Sequence, residues 1–452
     1  MATKHLHLLG IGGTFMAGIA TIARQLGFVV TGQDEAVYPP TSTLLAQQGI
    51  EVIPGYQMPA SNFSPDLVII GNVCSRGFPV VEQVLNQRIP YISAPQWLYE
   101  TVLASKRVLA VSGTHGKTST SSMLAWILTQ LDYKPSYLIG GRAHNFDTMA
   151  LCTSSPWFVI EADEYDTAFF DKRPKFMHYR PEVLAINNIE FDHADIYSNL
   201  AAIEQQFIWL LRSVPSTGAL VTPFGDAVIE RVVDHSTCIP KRLMVGAGAA
   251  DFTAAVEPHT VGHFEVFFHQ DSQGMVEWSL FGAHNIANAL IAIAIASHIG
   301  IDPQHAVKAL ASFKGVARRN EHVATINGAD IYNDFAHHPT AIYTTLCAFR
   351  RKRPNDKIWA VVELASNTMR QGACDYNALC DALNLADKVL LLKPASSAFN
   401  ISRISDVLQE KINIFESSES IEKVLRQQLR SDHCAVVMSN SSFGGLCGRL
   451  AG

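Results

Sequence analysis

One stretch of ten residues constrains the fold of this chain more than any other. Residues 111–120, VSGTHGKTST, follow the apolar run 108–111 and precede residues 123–128, whose apolar side chains have helical spacing. A strand, a glycine-bearing turn and a helix in this order are typical of a phosphate-binding loop. Backbone N–H groups of such a turn point at the anion, and Lys117 adds a positive charge. The sequence therefore predicts that the chain binds a nucleoside triphosphate.

The loop is a shortened variant of the usual pattern. The full P-loop has a glycine where this chain has Val111. Thr118 follows the lysine, where a hydroxyl can bind the Mg²⁺ that accompanies ATP. A chance Gly-Lys-Thr in a surface loop would lack the flanking strand and helix. The loop residues predicted to bind ATP are Ser112, Gly113, Thr114, His115, Gly116, Lys117 and Thr118.

Composition and charge exclude several classes of protein. The chain has 452 residues, a length that suggests about two to four domains. Its residues are 48% apolar and 17% charged, as in globular rather than disordered proteins. The net charge is −6 without a long basic run, so nothing favours a nucleic-acid partner. The most apolar helix candidate, 287–299, is shorter than the roughly 20 residues of a membrane span.

Two further features bear on location. Lys4, His5 and His7 interrupt any apolar stretch near the N-terminus, so no signal peptide is predicted. The eight cysteines, Cys238 among them, are scattered and form no C-x-x-C pair, which is typical of thiols in a reducing compartment. The sequence thus predicts a cytoplasmic protein.

Strand and helix patterns divide the chain into three α/β domains, with boundaries at 1–107, 108–317 and 318–452. The first alternates strands with helices and is predicted to be a Rossmann-like, doubly wound parallel sheet. The second holds the P-loop and is predicted to be of P-loop ATPase type, with irregular short strands over 217–280. The third is again predicted to be Rossmann-like. Strands are expected at 5–10, 28–32, 66–71, 89–92, 330–332, 358–362, 388–392 and 434–438, and helices at 15–26 and 80–86.

A glycine-rich turn follows the first predicted strand. It resembles the dinucleotide fingerprint G-x-G-x-x-G, but Phe15 stands at the third glycine position and the next glycine is Gly18. A nucleotide-sugar diphosphate is therefore favoured over a nicotinamide cofactor at this turn. A nucleotide-sugar oxidoreductase using NAD stays open as an alternative, as does a UDP-sugar sensor without catalytic activity.

Two acidic runs follow later strands. Residues 161–166, EADEYD, come directly after an apolar strand, the place where α/β nucleotide enzymes put a Mg²⁺ ligand. A solvated acidic loop is the alternative, and the P-loop favours the metal. The second run, 185–195, ends in Asp192 and His193. Histidine is an uncommon Mg²⁺ ligand, so composition alone favours a loop histidine there.

The order of these motifs resembles the Mur ligase family, whose members build the peptide of bacterial cell-wall precursors one amide bond at a time. The matching stretches are 113–119, 161–164, 188–193, 284–288, 316–319 and 332–340. The resemblance covers all three domains. It implies UDP-sugar binding by the first domain, ATP binding by the second and capture of the incoming amine by the third.

The resemblance also implies roles for individual residues. Lys117, Glu161 and His193 would be catalytic: Lys117 on the β/γ-phosphates, Thr118 and Glu161 on Mg²⁺, and His193 on a second magnesium. Asn285 and Asn288 would contact the nucleotide, Arg319 its phosphates and Asp334 its ribose. The residues implied in UDP-sugar binding are Gly10, Gly12, Gly13, Thr14 and Asp34.

Finer motifs resemble one branch of the family. Some members carry a carbamoylated lysine where this chain has Ile208, and no lysine lies between His193 and Arg212. That absence points to the branch acting directly on UDP-N-acetylmuramic acid. Stretches 12–16, 37–45, 169–173 and 366–370 resemble members that join this sugar nucleotide to the recycled tripeptide L-alanyl-γ-D-glutamyl-meso-diaminopimelate.

The resemblance therefore implies ATP-dependent ligation of that tripeptide through an acyl phosphate, in peptidoglycan recycling. Ligation of free L-alanine to the same sugar nucleotide is the alternative within the branch. Ala365 stands where the tripeptide branch usually has an arginine. The residues implied in peptide binding are Ser366, Asn367, Thr368 and Arg370.

Overall fold

The computed structural model describes residues 4–57, 63–236, 240–256, 261–394, 396 and 398–452. Cys238 lies outside the described residues, and the seven other cysteines are free thiols. Within these ranges, none of the helices combines the length and hydropathy that a bilayer span requires. The chain folds into three α/β domains in sequence order, which confirms the predicted fold class.

The N-terminal domain is a five-stranded parallel sheet in the order β3-β2-β1-β4-β5. Its central strands are apolar and buried because helices cover both faces. The last predicted strand begins two residues later than expected. The elements are β1 (His5–Leu9), α1 (Thr14–Gln25), β2 (Val29–Asp34), α2 (Thr41–Gln47), β3 (Glu51–Pro54), β4 (Leu67–Ile70), α3 (Pro79–Asn86), β5 (Tyr91–Ser93) and α4 (Ala94–Thr101).

The central domain is built on a ten-stranded sheet in the order β17-β16-β15-β14-β13-β12-β6-β9-β7-β8. Its elements up to the second acidic run are β6 (Arg107–Ser112), α5 (Lys117–Gln130), β7 (Ser136–Leu138), β8 (Ala150–Leu151), β9 (Trp157–Glu161), β10 (Asp166–Ala168), β11 (Asp171–Pro174) and β12 (Val183–Ile186). The remaining elements are α6 (Leu200–Leu211), β13 (Ala219–Pro223), α7 (Ala227–Asp234), β14 (Lys241–Val245), β15 (Phe252–Val256), β16 (His263–Phe268), β17 (Asp271–Glu277), α8 (Ala283–His298) and α9 (Pro303–Leu310).

The position of Val111 explains the shortened P-loop. Val111 lies within β6, the strand that pairs with β12 on one side and β9 on the other. It is fully buried and stands opposite Ala185 and Glu161. A glycine here would weaken a central strand, so the loop begins after Ser112 instead.

The structure differs from the prediction of irregular strands over 217–280. The first part of this stretch is regular: β13 and β14 are parallel neighbours joined by α7. The Asp226 carboxylate accepts hydrogen bonds from the Val228 and Ile229 N–H groups, 3.0 Å each, and caps that helix. Strand-forming residues such as Val228, Val232 and Val233 are frequent in α7, so composition alone favours strands there. The second part, β15 to β17, is an antiparallel meander.

The C-terminal domain is a six-stranded sheet in the order β18-β19-β23-β20-β21-β22, parallel except for the edge strand β18. All four strands predicted here are present. The elements are β18 (Glu321–Ile326), β19 (Ala329–Asp334), α10 (Pro339–Lys352), β20 (Lys357–Val362), α11 (Asn367–Arg370), α12 (Tyr376–Asn384), β21 (Lys388–Leu392), α13 (Ile401–Leu408), β22 (Ile412–Phe415), α14 (Ser418–Gln428), β23 (His433–Met438) and α15 (Leu446–Ala451).

A close helix–strand contact joins the first two domains. Helix α1 packs on β7 and β8, and a Cβ at Gly18 would overlap Leu138 Cδ1. The Gln25 side chain accepts a 2.8 Å hydrogen bond from the Cys152 N–H. The glycine that departs from the dinucleotide fingerprint is therefore explained by domain packing.

His7 is a buried histidine in the middle of β1. Its Nδ1 lies 2.8 Å from Thr31 Oγ1, and its ring meets Phe63 edge-on at 4.7 Å. Burial lowers the pKa of His7 from 6.5 to about 4. The unfolded chain therefore takes up a proton at a higher pH than the folded chain does.

We expect the free energy of unfolding to fall as the pH is lowered from 6.5 toward 4. Above pH 6.5, His7 is neutral in both the folded and the unfolded chain and does not change the free energy of unfolding with pH. Between pH 6.5 and 4 the unfolded chain binds a proton first, which lowers the free energy of unfolding by about 3 kcal/mol for a shift of this size. His7→Gln should remove that part of the pH dependence in urea unfolding curves. His5→Gln is the control, because His5 lies on the same strand, is only partly buried and also contacts Thr31. Equal pH slopes in the wild type and His7→Gln would contradict this assignment.

Candidate active site

The phosphate-binding loop is packed against the loop that follows β12. The Thr114 N–H donates to the Asn188 carbonyl at 3.1 Å, and the His115 N–H donates to Asn188 Oδ1 at 2.8 Å. Gly116 has φ +83°, and a Cβ there would lie 2.5 Å from Asn288 Oδ1. Only glycine fits this position, because both the backbone conformation and the available space exclude a side chain.

Two other loop residues use their side chains internally. Ser112 Oγ donates to the Ala185 carbonyl at 2.8 Å and is buried. Thr114 Oγ1 accepts a 2.8 Å hydrogen bond from the Glu190 N–H. These hydroxyls hold the loop in place, so an incoming phosphate would meet mainly backbone groups and Lys117.

Lys117 is the first residue of α5 and lies in a buried ion-pair network. Its Nζ is 2.7 Å from Glu164 Oε2, 3.7 Å from Asp163 Oδ1 and 2.6 Å from the Gly113 carbonyl. Burial favours the neutral amine, but the Glu164 and Asp163 charges outweigh it and raise the pKa of Lys117 above its ordinary value. The lysine therefore carries its charge at neutral pH.

Thr118 and Glu161 form an oxygen donor set beside this lysine. Thr118 Oγ1 donates to Glu161 Oε1 at 3.1 Å, and the Gly140 N–H donates to Glu161 Oε2 at 2.7 Å. Burial raises the pKa of Glu161, while Lys117 and the Gly140 N–H act in the opposite direction. A hydroxyl and a buried carboxylate are hard oxygen ligands, so this pair fits a Mg²⁺ ion.

A second donor cluster consists of Asp163, Glu164 and His193, whose candidate ligand atoms all lie within 4.8 Å of one another. His193 Nε2 is 3.3 Å from Glu164 Oε1, and His193 has a left-handed backbone with φ +56°. Burial disfavours the imidazolium, but Glu164, Asp192 and Asp163 together raise the pKa of His193 above 6.5. The predicted metal ligand thus lies next to the acidic run, within reach of a shared cation.

A cavity of about 540 Å³ lies between the first two domains. In the lining of this cavity, the Gly12 N–H donates to Asp34 Oδ2 at 2.7 Å. Glu161 of the donor pair lines the same cavity. All five residues predicted for UDP-sugar binding are therefore gathered with the phosphate site; the lining includes Gly10, Gly12, Gly13, Thr14, Asp34, Glu161, Asp163 and Lys175.

Lys175 is a residue that the sequence analysis missed. Its Nζ donates to Asp163 Oδ2 at 2.8 Å and lies 5.7 Å from the centre of the Phe15 ring. It follows β11, where a lysine carries no motif signal.

A second cavity, about 370 Å³, lies between the central and C-terminal domains. Asn285 and Arg319, both predicted to bind nucleotide, line it. Aromatic side chains and a lysine also line this cavity. Lys352 Nζ lies 3.9 Å from the centre of the Phe281 ring. Its lining includes Phe281, Asn285, Arg319, His322, Tyr332 and Lys352.

Asn288 and Asp334, also predicted for the nucleotide, lie outside this lining. Asn288 Oδ1 accepts a 3.3 Å hydrogen bond from Asn187 Nδ2 and faces Gly116. The Asp334 carboxylate accepts hydrogen bonds from the Asn320 N–H and the Ala336 N–H, 2.8 Å each. In this arrangement Asp334 holds the turn that carries Arg319.

The loop predicted to bind peptide contacts the central domain. Ser366 caps α11 by accepting the Met369 N–H at 3.3 Å. Thr368 Oγ1 donates to Asp192 Oδ1 at 2.6 Å, and Asn367 Nδ2 donates to Asp195 Oδ2 at 2.9 Å. Arg370 is exposed. Thr368 and Asn367 thus brace the turn that carries His193, while Arg370 is open to a ligand.

Comparison with known families gives a match for each domain. Residues 5–106 match "Mur ligase family, catalytic domain", residues 111–296 match "Mur ligase middle domain", and residues 318–441 match "Mur ligase, glutamate ligase domain".

Individual relatives span nearly the whole chain. A UDP-N-acetylmuramate–L-alanyl-γ-D-glutamyl-meso-2,6-diaminoheptandioate ligase of Escherichia coli K12 is 46% identical over 98% of this chain and 97% of that protein. The crystal structure of a murein peptide ligase from Psychrobacter arcticus is 37% identical, with a TM-score of 0.78, over 99% of this chain and 98% of that one. A UDP-N-acetylmuramate–L-alanine ligase of Acidithiobacillus ferrooxidans is 32% identical over 86% of this chain and 82% of that protein.

The contact between Thr368 and Asp192 generates a stability prediction. Burial works against the Asp192 charge, but His193 and Thr368 hold the pKa of that carboxyl at about 2. Thr368→Val keeps the shape of the side chain and removes the donor to this buried charge. We expect the free energy of unfolding to fall by about 1.5–3 kcal/mol. Thr344→Val, at a more exposed hydroxyl on α10, should change it little. The same loss in both variants would contradict the role of this hydrogen bond.

Proposed function

The chain belongs to the Mur ligase family, and from that premise we propose that it is an ATP-dependent ligase that joins UDP-N-acetylmuramic acid to L-alanyl-γ-D-glutamyl-meso-diaminopimelate in peptidoglycan recycling. One observation carries the proposal. The glycine turn of the first domain and Glu161 beside the P-loop line the same cavity. A sugar nucleotide held at that turn can therefore extend its carboxylate toward a bound γ-phosphate.

The reaction runs in two steps. The lactyl carboxylate oxygen of the sugar nucleotide attacks the γ-phosphorus of ATP, which gives an acyl phosphate and ADP. The α-amine of the tripeptide then adds to the acyl carbon, and the tetrahedral intermediate expels phosphate to leave an amide. Catalysis of both steps rests mainly on positioning and on neutralisation of charge.

The residues contribute as follows. Lys117 supplies a fixed positive charge beside the transferred phosphoryl group, where negative charge redistributes in the transition state. Thr118 and Glu161 would hold Mg²⁺, and the ion would supply positive charge that neutralises the phosphate oxygens. The backbone N–H groups of the P-loop orient the phosphates. Lys175 lines the cavity and offers a second cation to the sugar-nucleotide side.

Ligation of free L-alanine is the second candidate, because relatives with that activity in their names also match the chain. Ala365 keeps this candidate open, since an arginine of the tripeptide branch is missing there. An NAD-dependent oxidoreductase gains no support from the first domain. The relatives that match this chain are named as ligases, and Phe15 stands where the dinucleotide fingerprint has its third glycine. A cytoplasmic location stays a prediction.

Phosphate release distinguishes the candidates. With ATP, Mg²⁺ and UDP-N-acetylmuramic acid, we expect release to depend on added tripeptide and to be much slower with L-alanine. Lys117→Ala should abolish release; because it also leaves the buried Glu164 carboxylate without its cation, circular dichroism checks that the variant is folded at the assay temperature. Lys308→Ala, at an exposed lysine on α9, is the matched control and should keep wild-type turnover. Faster release with L-alanine than with tripeptide would assign the chain to the second candidate, and near-normal turnover of Lys117→Ala would overturn the phosphate site.

Gly12 generates a prediction for the sugar-nucleotide site. A Cβ there would lie 2.9 Å from Asp34 Oδ2 and 3.0 Å from Val37 Cγ2, so it would displace the carboxylate that holds the turn. Gly12→Ala should raise the KM for UDP-N-acetylmuramic acid about tenfold or more and leave the KM for ATP nearly unchanged, as expected for one lost charge-assisted contact. Gly448→Ala, where an added methyl meets nothing within 4 Å, is the control. Equal increases in both constants would indicate general misfolding instead.

Arg370 generates a prediction about the amine substrate. Its exposed guanidinium can pair with the second carboxylate of diaminopimelate, which a lysine-containing tripeptide lacks. The wild type should therefore have a higher kcat/KM for the diaminopimelate tripeptide than for the lysine tripeptide. Loss of the ion pair should reduce the ratio of these two values roughly ten- to a hundred-fold. Arg370→Ala should show this change and keep the constants for ATP and the sugar nucleotide. Arg351→Ala, an exposed arginine on α10, is the control. An unchanged preference in Arg370→Ala would place diaminopimelate recognition elsewhere.

A further inference from the structure

A cluster of three side chains lies apart from the two donor sets described above. His115 comes from the P-loop, Glu190 from the loop after β12, and His338 from the residue before α10 in the C-terminal domain. We propose that these three residues bind one transition-metal ion of the Zn²⁺ class, which bridges the central and C-terminal domains. The proposal is argued from the geometry of these three residues and does not rest on the ligase reaction.

The distances between donor atoms suit a single small cation. Glu190 Oε2 is 3.4 Å from His338 Nδ1 and 3.6 Å from His115 Nε2, and all three donors lie within 4.8 Å of one another. Tetrahedral ligands with bonds of roughly 2.0–2.1 Å stand about 3.4 Å apart. Two imidazoles and a carboxylate, with the fourth position left for water, are a common zinc donor set.

Unsatisfied nitrogens provide the second observation. His115 Nε2 and His338 Nδ1 are buried and have no hydrogen-bond partner among the described residues. The contact between His115 and Glu190 is too long for a hydrogen bond. A buried polar atom without a partner is costly, and here two such atoms face one carboxylate oxygen.

The tautomer of His338 places an unprotonated ring nitrogen next to a carboxylate. Its Nε2 lies 3.3 Å from the Phe191 carbonyl, which can only accept, so the ring proton belongs on Nε2. Nδ1 then carries a lone pair that points at the Glu190 carboxylate, another acceptor. A metal ion between the two acceptors removes the repulsion.

The surroundings orient the donors as they do around bound metals. The Phe191 carbonyl fixes the His338 ring, and Thr340 Oγ1 donates to Glu190 Oε2 at 2.6 Å. Nitrogen donors favour Zn²⁺ and its neighbours over Mg²⁺, so the site differs in chemistry from the oxygen-rich pair of Thr118 and Glu161. Because His115 belongs to the P-loop, the ion would tie the phosphate-binding loop to the C-terminal domain.

Cobalt titration of the full chain tests the proposal. After treatment with a chelator, the protein is titrated with Co²⁺ in excess Mg²⁺, which occupies the oxygen-rich sites. We expect one equivalent to bind with intense visible absorption bands of low-symmetry, four-coordinate cobalt, and Zn²⁺ to displace it. Glu190→Gln and His338→Ala should each weaken the binding more than roughly 100-fold, since loss of second-layer partners alone costs 10–100-fold. His305→Ala, at an exposed histidine on α9, should bind as the wild type does.

Thermal unfolding is a second measurement that does not use the cobalt absorption spectrum. In the same excess of Mg²⁺, Zn²⁺ should raise the unfolding temperature of the wild type and of His305→Ala clearly more than that of Glu190→Gln, which keeps only the donors around His193. Absence of a one-equivalent cobalt spectrum in the wild type would overturn the proposal, as would unchanged affinity in both cluster variants. Equal loss in His305→Ala would assign the signal to surface histidines and also overturn it. Neither readout uses ligase activity, so failure of the proposed function would leave this test intact.

Discussion

The buried ion pair between Lys117 and Glu164 is the interaction on which the rest of the site depends. Two charges taken out of water are costly unless each has further partners. Here Glu164 also contacts His193, and Asp163, which lies 3.7 Å from Lys117, is paired with Lys175. The P-loop lysine is thus held by the acidic run after β9. An incoming polyphosphate must compete with these carboxylates, and a bound cation would relieve the excess negative charge.

The topology of the three sheets explains why the functional residues meet. In parallel sheets, loops that leave the carboxyl ends of strands lie on one edge, where α/β domains bind their ligands. The glycine turn follows β1, the P-loop follows β6, Glu161 ends β9, and the loop of Ser366 follows β20. These edges converge on the region between the domains. Residues from far-apart stretches of the chain therefore reach the same cavities without unusual backbone connections.

The features that depend on short stretches of the chain could be predicted from the sequence. The P-loop, the carboxylate at the end of β9 and the three α/β domains follow from strand–turn–helix patterns. Lys175, the packing role of Gly18 and the bracing contact of Thr368 with Asp192 depend on how domains pack, which no local pattern records. Asp334 illustrates the same limit. A short motif marks it as important, but only the fold shows its carboxylate holding the turn before β18.

The two interfaces of the central domain differ in physical character. Helix α1 buries Ile19 and Ile22 in a cluster that continues into the central domain through Leu138 and Ala150, so separation would expose a continuous apolar core. The C-terminal domain keeps two cores largely of its own, with Phe281 as an apolar link from the central domain. It meets the P-loop side mainly through hydrogen bonds such as that of Thr368 to Asp192. Water can replace polar contacts far more cheaply than it can solvate an apolar core. The C-terminal interface is therefore the one whose separation would expose less apolar surface, and the three-residue cluster of His115, Glu190 and His338 lies at that interface.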